Sequence, residues 1–173
     1  YKDAMNIQVA TSEGSDIGTV QNILGNEIIQ IQNLQLANAH DEAFTVSSIA
    51  DEKNDTLYWL VWTPDTDYIF SYKKTDTEAS IIFRDIKKKV LKFNPNFIIT
   101  GISIIDDMLF WTDNRTEPKK INIPRCRAGT DQNNPTHTKL INDSQGIIFL
   151  SNIDIEEKHI TVIKKTPPKY IQV

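Results

Sequence analysis

The sequence predicts an all-β chain built from antiparallel meanders, and three observations carry that prediction. Apolar residues recur mostly with a period of two rather than three to four. Clusters of Gly, Ser, Pro, Asp and Asn punctuate the apolar runs. The third observation is self-similarity. Aligning "SSIADEKNDTLYWLVWTPDTDYIFSYKK" with "TGISIIDDMLFWTDNRTEPKKINI" sets Trp59 against Trp111, 52 residues later, and a fainter copy, "LSNIDIEEKHITVIKK", sets Val162 a further 51 on. Short strands repeating at this interval are the mark of propeller-type blades, here a partial or interrupted set, because closure takes roughly four to eight.

The elements follow in order. "NIQVAT" and "GTVQNILG" flank the Gly- and Ser-rich "SEGSDIG", which reads as a hairpin within residues 1–26. "EIIQIQNLQL", residues 27–36, alternates apolar and amide side chains and reads as a strand, with a short helix toward "ANAHDEA" left open. "TLYWLVWT" is apolar in both phases, Leu57, Trp59 and Val61 against Tyr58, Leu60 and Trp62, as a strand sandwiched between two layers requires. A Pro- and Asp-marked turn, "PDTD", leads into "YIFSYKK". "SIIFRDI" and "VLKFN" read as further strands of the same meander, with Lys87, Lys88 and Lys89 as a solvated hairpin tip between them. "MLFWTDNRTEPKKINI", residues 108–123, is a strand, a polar turn fixed by Asp113, and a second strand, so the turn is expected to connect rather than to bind. "RCRAGTDQNNPTHT" reads as a loop, and His159 as a structural residue at a strand edge.

These elements amount to one β domain over residues 1–173, a hairpin followed by blade-like units at about 27–94, 95–141 and 142–173. Trp59 and Trp111 are its expected equivalent packing aromatics. A start at Tyr1 and a new extended segment at "TPPKYIQV" suggest a piece of a larger chain.

Composition narrows the function. With 19 basic and 23 acidic residues the chain carries a net charge of −4, interspersed along most of its length, which does not predict a phosphate-binding surface. No apolar run approaches the roughly 18 residues of a spanning helix. The single cysteine, Cys126, rules out an intrachain disulfide framework. No phosphate-cradling Gly-rich loop and no G-x-S-x-G elbow occurs, and His40, His137 and His159 lack metal-ligand spacing. A Cys126 and His137 dyad is conceivable, but a lone loop thiol is expected to be inert. Asp65 with Asp67 lack the Gly and Glu of a calcium loop, Asp106 with Asp107 directly precede a buried strand, and both pairs read as turn residues at blade rims. No enzyme, cofactor or metal is therefore expected. Asn54, Asn114 and Asn142 begin N-x-[ST] triplets, which matter only in a secretory pathway.

Two resemblances add to this. "LFWTDNRTEPKKINI" resembles the YWTD-type blade of extracellular lipoprotein-receptor propellers, which would imply a secreted or cell-surface ligand-binding protein; a glycan-binding propeller is a weaker alternative. The broader resemblance joins the opening "YKDAMNIQVATSEGSDIGTVQNILGN", with Asp3, Ala4, Asn6 and Gly25, to "LFWTDNRTEPKKINI" and "KHITVIKKTPP". This set is similar to propeller-containing tail hub, nozzle or muzzle proteins of tailed bacteriophages, especially of marine phages. It covers the first 26 residues and about 108–130. The resemblance implies a virion tail protein that forms rings, typically sixfold, with copies of itself below the portal and its adaptors. Genomic DNA would leave through the ring without sequence-specific binding, which an acidic balance would suit. Asp3 and Asn6 would order the first hairpin.

Overall fold

The computed structural model describes residues 7–9, 20–22, 27–31, 42–144 and 147–163. The chain is predominantly β, in sheets that are antiparallel but for one short strand. β1 (Ile7–Val9) and β2 (Val20–Asn22) pair antiparallel, as the opening hairpin reading expects. β3 (Gln30–Ile31) is the strand found in the segment 27–31.

The main sheet is a continuous meander of β4 (Phe44–Asp51), β5 (Thr56–Trp62), β6 (Thr66–Lys73) and β7 (Glu78–Ile86), and β3 adds in parallel to the outer edge of β7. Its turns are held by short polar side chains. Asn54 donates to the Asp51 carboxylate at 2.7 Å and Asp55 takes the left-handed φ of 51°. The Thr63 hydroxyl closes the next turn, donating to the Thr66 carbonyl at 2.6 Å and accepting the Thr66 amide at 3.1 Å.

A second sheet comprises β8 (Gly101–Ile105), β9 (Met108–Thr112) and β10 (Lys119–Asn122). The two-residue Asp106–Asp107 connection places Asp106 at φ 52°, as a tight hairpin demands. Helix α1 (Ile123–Gly129), hairpin β11 (Lys139–Ser144) with β12 (Ile147–Asp154), and the single turn α2 (Glu157–Ile160) complete the described chain.

One large apolar cluster joins the two sheets. Tyr58, Leu60, Ile69 and Phe83 from the main sheet meet Leu109, Trp111 and Ile121 from the second, with Cys126 of α1 and Ile160 of α2 closing the sides. Burying each large apolar side chain contributes about 1.5–3 kcal/mol. The opposite face of the main sheet carries a smaller cluster of Val61, Phe70 and Ile81, with Trp59, Tyr68 and Ile31 against it. β5 therefore does have two apolar faces, in two unequal layers.

Several expectations are corrected. "VLKFN" is not a strand: residues 87–100 form an irregular connection in which Lys87, Lys88 and Lys92 have φ of 66°, 53° and 57°. Val90, Leu91 and Phe93 are buried there because the loop folds back over the large cluster. Residues 123–129 are helical rather than loop, with the Asn122 side chain accepting the Arg125 amide and Pro124 in the first turn. The third repeat copy does not form its expected strand: Val162 follows α2, lies outside any strand and is 40% exposed. The expected boundary at 141 cuts through β11. His159 sits on α2, where its ring accepts the Glu156 amide. The described strands form no closed ring.

Candidate functional site

A cleft of about 900 Å³ opens where β7 ends, lined by Lys87 and Lys89 after that strand, His137 before β11 and Lys139 at its start, and Glu156 and Lys158 around α2. Charges buried inside the adjoining strands hold several of these lining residues. Asp67 follows the alternation of β6 onto the same face as Ile69, and Asp85 lies opposite it on β7. Both are fully buried.

Asp85 accepts the Lys89, Val90 and Leu91 amides at 3.1, 2.8 and 2.6 Å, which satisfies three backbone donors of the loop at once. Asp67 accepts the Phe93 amide at 2.8 Å and pairs with the Lys88 ammonium at 2.9 Å. Lys88 also donates to the Thr63 carbonyl and lies over the Trp62 ring at 4.2 Å. Lys88 is thus not the solvated tip of a hairpin, and Asp67 is not a rim turn residue. Burial pushes the Asp67 carboxyl up to about 6, against the opposing pull of Lys88 and the Phe93 amide.

His137 bridges β7 to the approach of α2. Its Nδ1 accepts the Ile86 amide at 3.2 Å and its Nε2 lies 2.9 Å from the Ile155 carbonyl, an arrangement that puts the proton on Nε2. Asp85 Oδ1 stands 3.7 Å from Nδ1. Cys126 is packed in the large cluster, and burial pushes its thiol up to about 12. His137 stands edge-on to Phe83 of the same cluster at 6.0 Å, and its ring nitrogens are taken up by the Ile86 amide and the Ile155 carbonyl.

The outer edge of β7 is sealed by the connection from α1 to β11. Gln132 donates to the Ile81 carbonyl at 2.7 Å and accepts the Ile81 amide at 3.0 Å, reproducing the bonds of a neighbouring strand. The Thr138 hydroxyl accepts the Arg84 amide at 2.8 Å. The buried Arg84 guanidinium donates to the carbonyls of Asp131, Asn134 and Thr136, holding that connection in place. Lys119, also buried, donates to the Thr116 hydroxyl at 2.7 Å. Burial lowers its ammonium, and Asp113 and Glu157 act against that.

The residues singled out from the sequence are scattered. Trp59 lies on β5, half-buried and stacked on Phe70 at 5.4 Å. Trp111 lies on β9, 4% exposed, in edge contact with Phe93 at 6.4 Å. Each is on the second strand of its meander, but they belong to different clusters. Asp113 begins the β9–β10 connection and accepts the Arg115 and Thr116 amides at 2.9 and 2.8 Å. Burial alone would raise its carboxyl, yet these amides, the Thr116 hydroxyl and Lys119 hold it below the ordinary range. Asp3, Asn6 and Gly25 lie outside the described residues.

Sequence reasoning takes Asp67 for a rim turn residue and passes over Asp85, Arg84 and Lys119. The signal was present as a charge in phase with buried neighbours, "TDYIFS" and "IIFRDI", although phase alone does not say which partner neutralises it. Among the described residues no group of three or more His, Cys, Asp or Glu side chains is placed to hold a metal ion. No family model, curated protein or solved structure matches this chain.

Proposed function

We propose that this chain is a structural subunit of a bacteriophage tail, one of a ring of copies below the portal and its adaptors through which genomic DNA leaves. The virion assignment rests on the likeness of residues 1–26 and about 108–130 to tail hub, nozzle and muzzle proteins. The architectural half of the reading is carried by one observation: Asp67, Asp85 and Arg84, the buried charges beside the cleft, are all bonded to loop backbone. Groups so occupied brace a scaffold, whereas a reactive site aims them at a ligand. The propeller reading is supported by the paired meanders, each with an aligned tryptophan on its second strand.

The test is direct. Gradient-purified tailed particles from infected cells are analysed by quantitative peptide mass spectrometry, with gold-labelled antibody locating the chain. The expected result is a fixed small copy number per particle at the tail. A chain found only in the particle-free lysate overturns the proposal.

A further inference from the structure

The two sheets meet through defined faces, and on each the other face keeps exposed apolar residues, although on the main sheet Val61, Phe70 and Ile81 of that face are buried. The face of β5 with Tyr58 and Leu60 packs on the face of β9 with Leu109 and Trp111. At its inner side β4 runs close to the residues that lead into β8, the Ile99 amide bonding to the Val46 carbonyl at 2.9 Å and the Ser47 hydroxyl to the Ile99 carbonyl at 2.8 Å. On the far face of the main sheet, Leu57 is 43% exposed and Trp59 is half-buried, beside the small exposed Ser48 and Ala50 of β4. On the far face of the second sheet, Ile105 is 59% exposed and Phe110 half-buried, beside the small exposed Gly101 and Ser103 of β8.

The alignment that sets Trp59 against Trp111 also sets Tyr58 against Phe110 and Leu57 against Leu109. Inside the chain, the Tyr58 face is the one that meets the Trp111 face. The two partly exposed faces, those of Phe110 and Trp59, are the aligned counterparts of that packed pair.

We propose that the Phe110 face of one copy packs on the Trp59 face of the next, so that contact between copies repeats the contact within each. Small residues on β4 and β8 let β4 of one copy approach β8 of the next. Such an interface is heterologous: it closes into a ring if the rotation permits and extends otherwise. It deepens the ring proposed above by naming the surfaces, and it rests on that reading only for its biological setting.

Sedimentation velocity on the purified chain tests it, with Leu57→Asp and Ile105→Asp as the variants. Both sites are exposed, and far-UV circular dichroism with the thermal midpoint checks that each variant folds. The wild type is expected to form concentration-dependent species at multiples of 19.8 kDa. Each variant alone should be monomeric, and an equimolar mixture should give a one-to-one dimer and nothing larger, because each partner keeps one intact face. A monomeric wild type at every concentration overturns the interface, as does undiminished association of either variant or a monomeric mixture. A chain present in particles but monomeric in solution refutes these surfaces and leaves the tail assignment standing; one that assembles but is missing from particles does the reverse.

Discussion

At the residue scale, the buried pair of Asp67 and Lys88 has a measurable signature. The Asp67 carboxyl is raised from 3.8 to about 6 by burial. A carboxyl whose value is raised by folding gives its stabilising contribution in full below its unfolded value and loses it as the pH rises through the folded one. The loss is about 3 kcal/mol, at roughly 1.4 kcal/mol per unit. Asp67→Asn cannot ionise, so its stability relative to wild type should improve by up to about 3 kcal/mol between about pH 4 and pH 7.5. Urea melts of both proteins at the two pH values check this, and an unchanged difference counts against it. Lys88→Met leaves a buried carboxylate without its cation and should cost about 3–5 kcal/mol at neutral pH, with a smaller cost where Asp67 is protonated. The tryptophans separate by burial: Trp111→Ala should cost about 3–5 kcal/mol, and the half-buried Trp59→Ala about half of that. Equal costs in chemical denaturation would show that the two clusters are equally important.

At the element scale, α1 is held by a close approach that its residue types do not advertise. A Cβ built on Gly129 would lie 2.1 Å from the Lys139 carbonyl oxygen and 3.2 Å from its carbon, both backbone atoms. Neither can move aside without displacing β11 from the helix. Gly129→Ala should therefore destabilise the protein by about 1–3 kcal/mol or more through overpacking, although alanine is the better helix former. A thermal midpoint equal to or above that of wild type would contradict the packing. The strands were readable because period-two alternation and turn residues act locally. "RCRAG" was not, since a helix of seven residues has little propensity of its own and is stabilised by burying Ile123, Cys126 and Gly129 against other elements. "VLKFN" misled for the converse reason: its apolar residues are buried, but by a loop whose amides Asp85 and Asp67 satisfy in place of a neighbouring strand.

At the scale of the whole molecule, one apolar cluster takes residues from both sheets, α1 and α2, so neither sheet can lose its packing without exposing the other. Unfolding should accordingly be a single transition, with tryptophan fluorescence and far-UV circular dichroism giving coincident midpoints. Separate midpoints would mean that the sheets unfold independently. The sequence by itself determined the β class, the antiparallel pairing of β1 with β2, the two-faced strand at 56–62 and the strand–turn–strand at 108–122, because each depends on interactions between near neighbours in the chain. Only the tertiary structure decided that Asp67 and Lys88 pair, that Gln132 and Thr138 seal the edge of β7, and that the segment after β12 turns into α2. The reason is physical: the free energy of a buried charge or an unpaired strand edge depends on groups about 20 to 50 residues away in the chain, and periodicity carries no record of which distant group arrives.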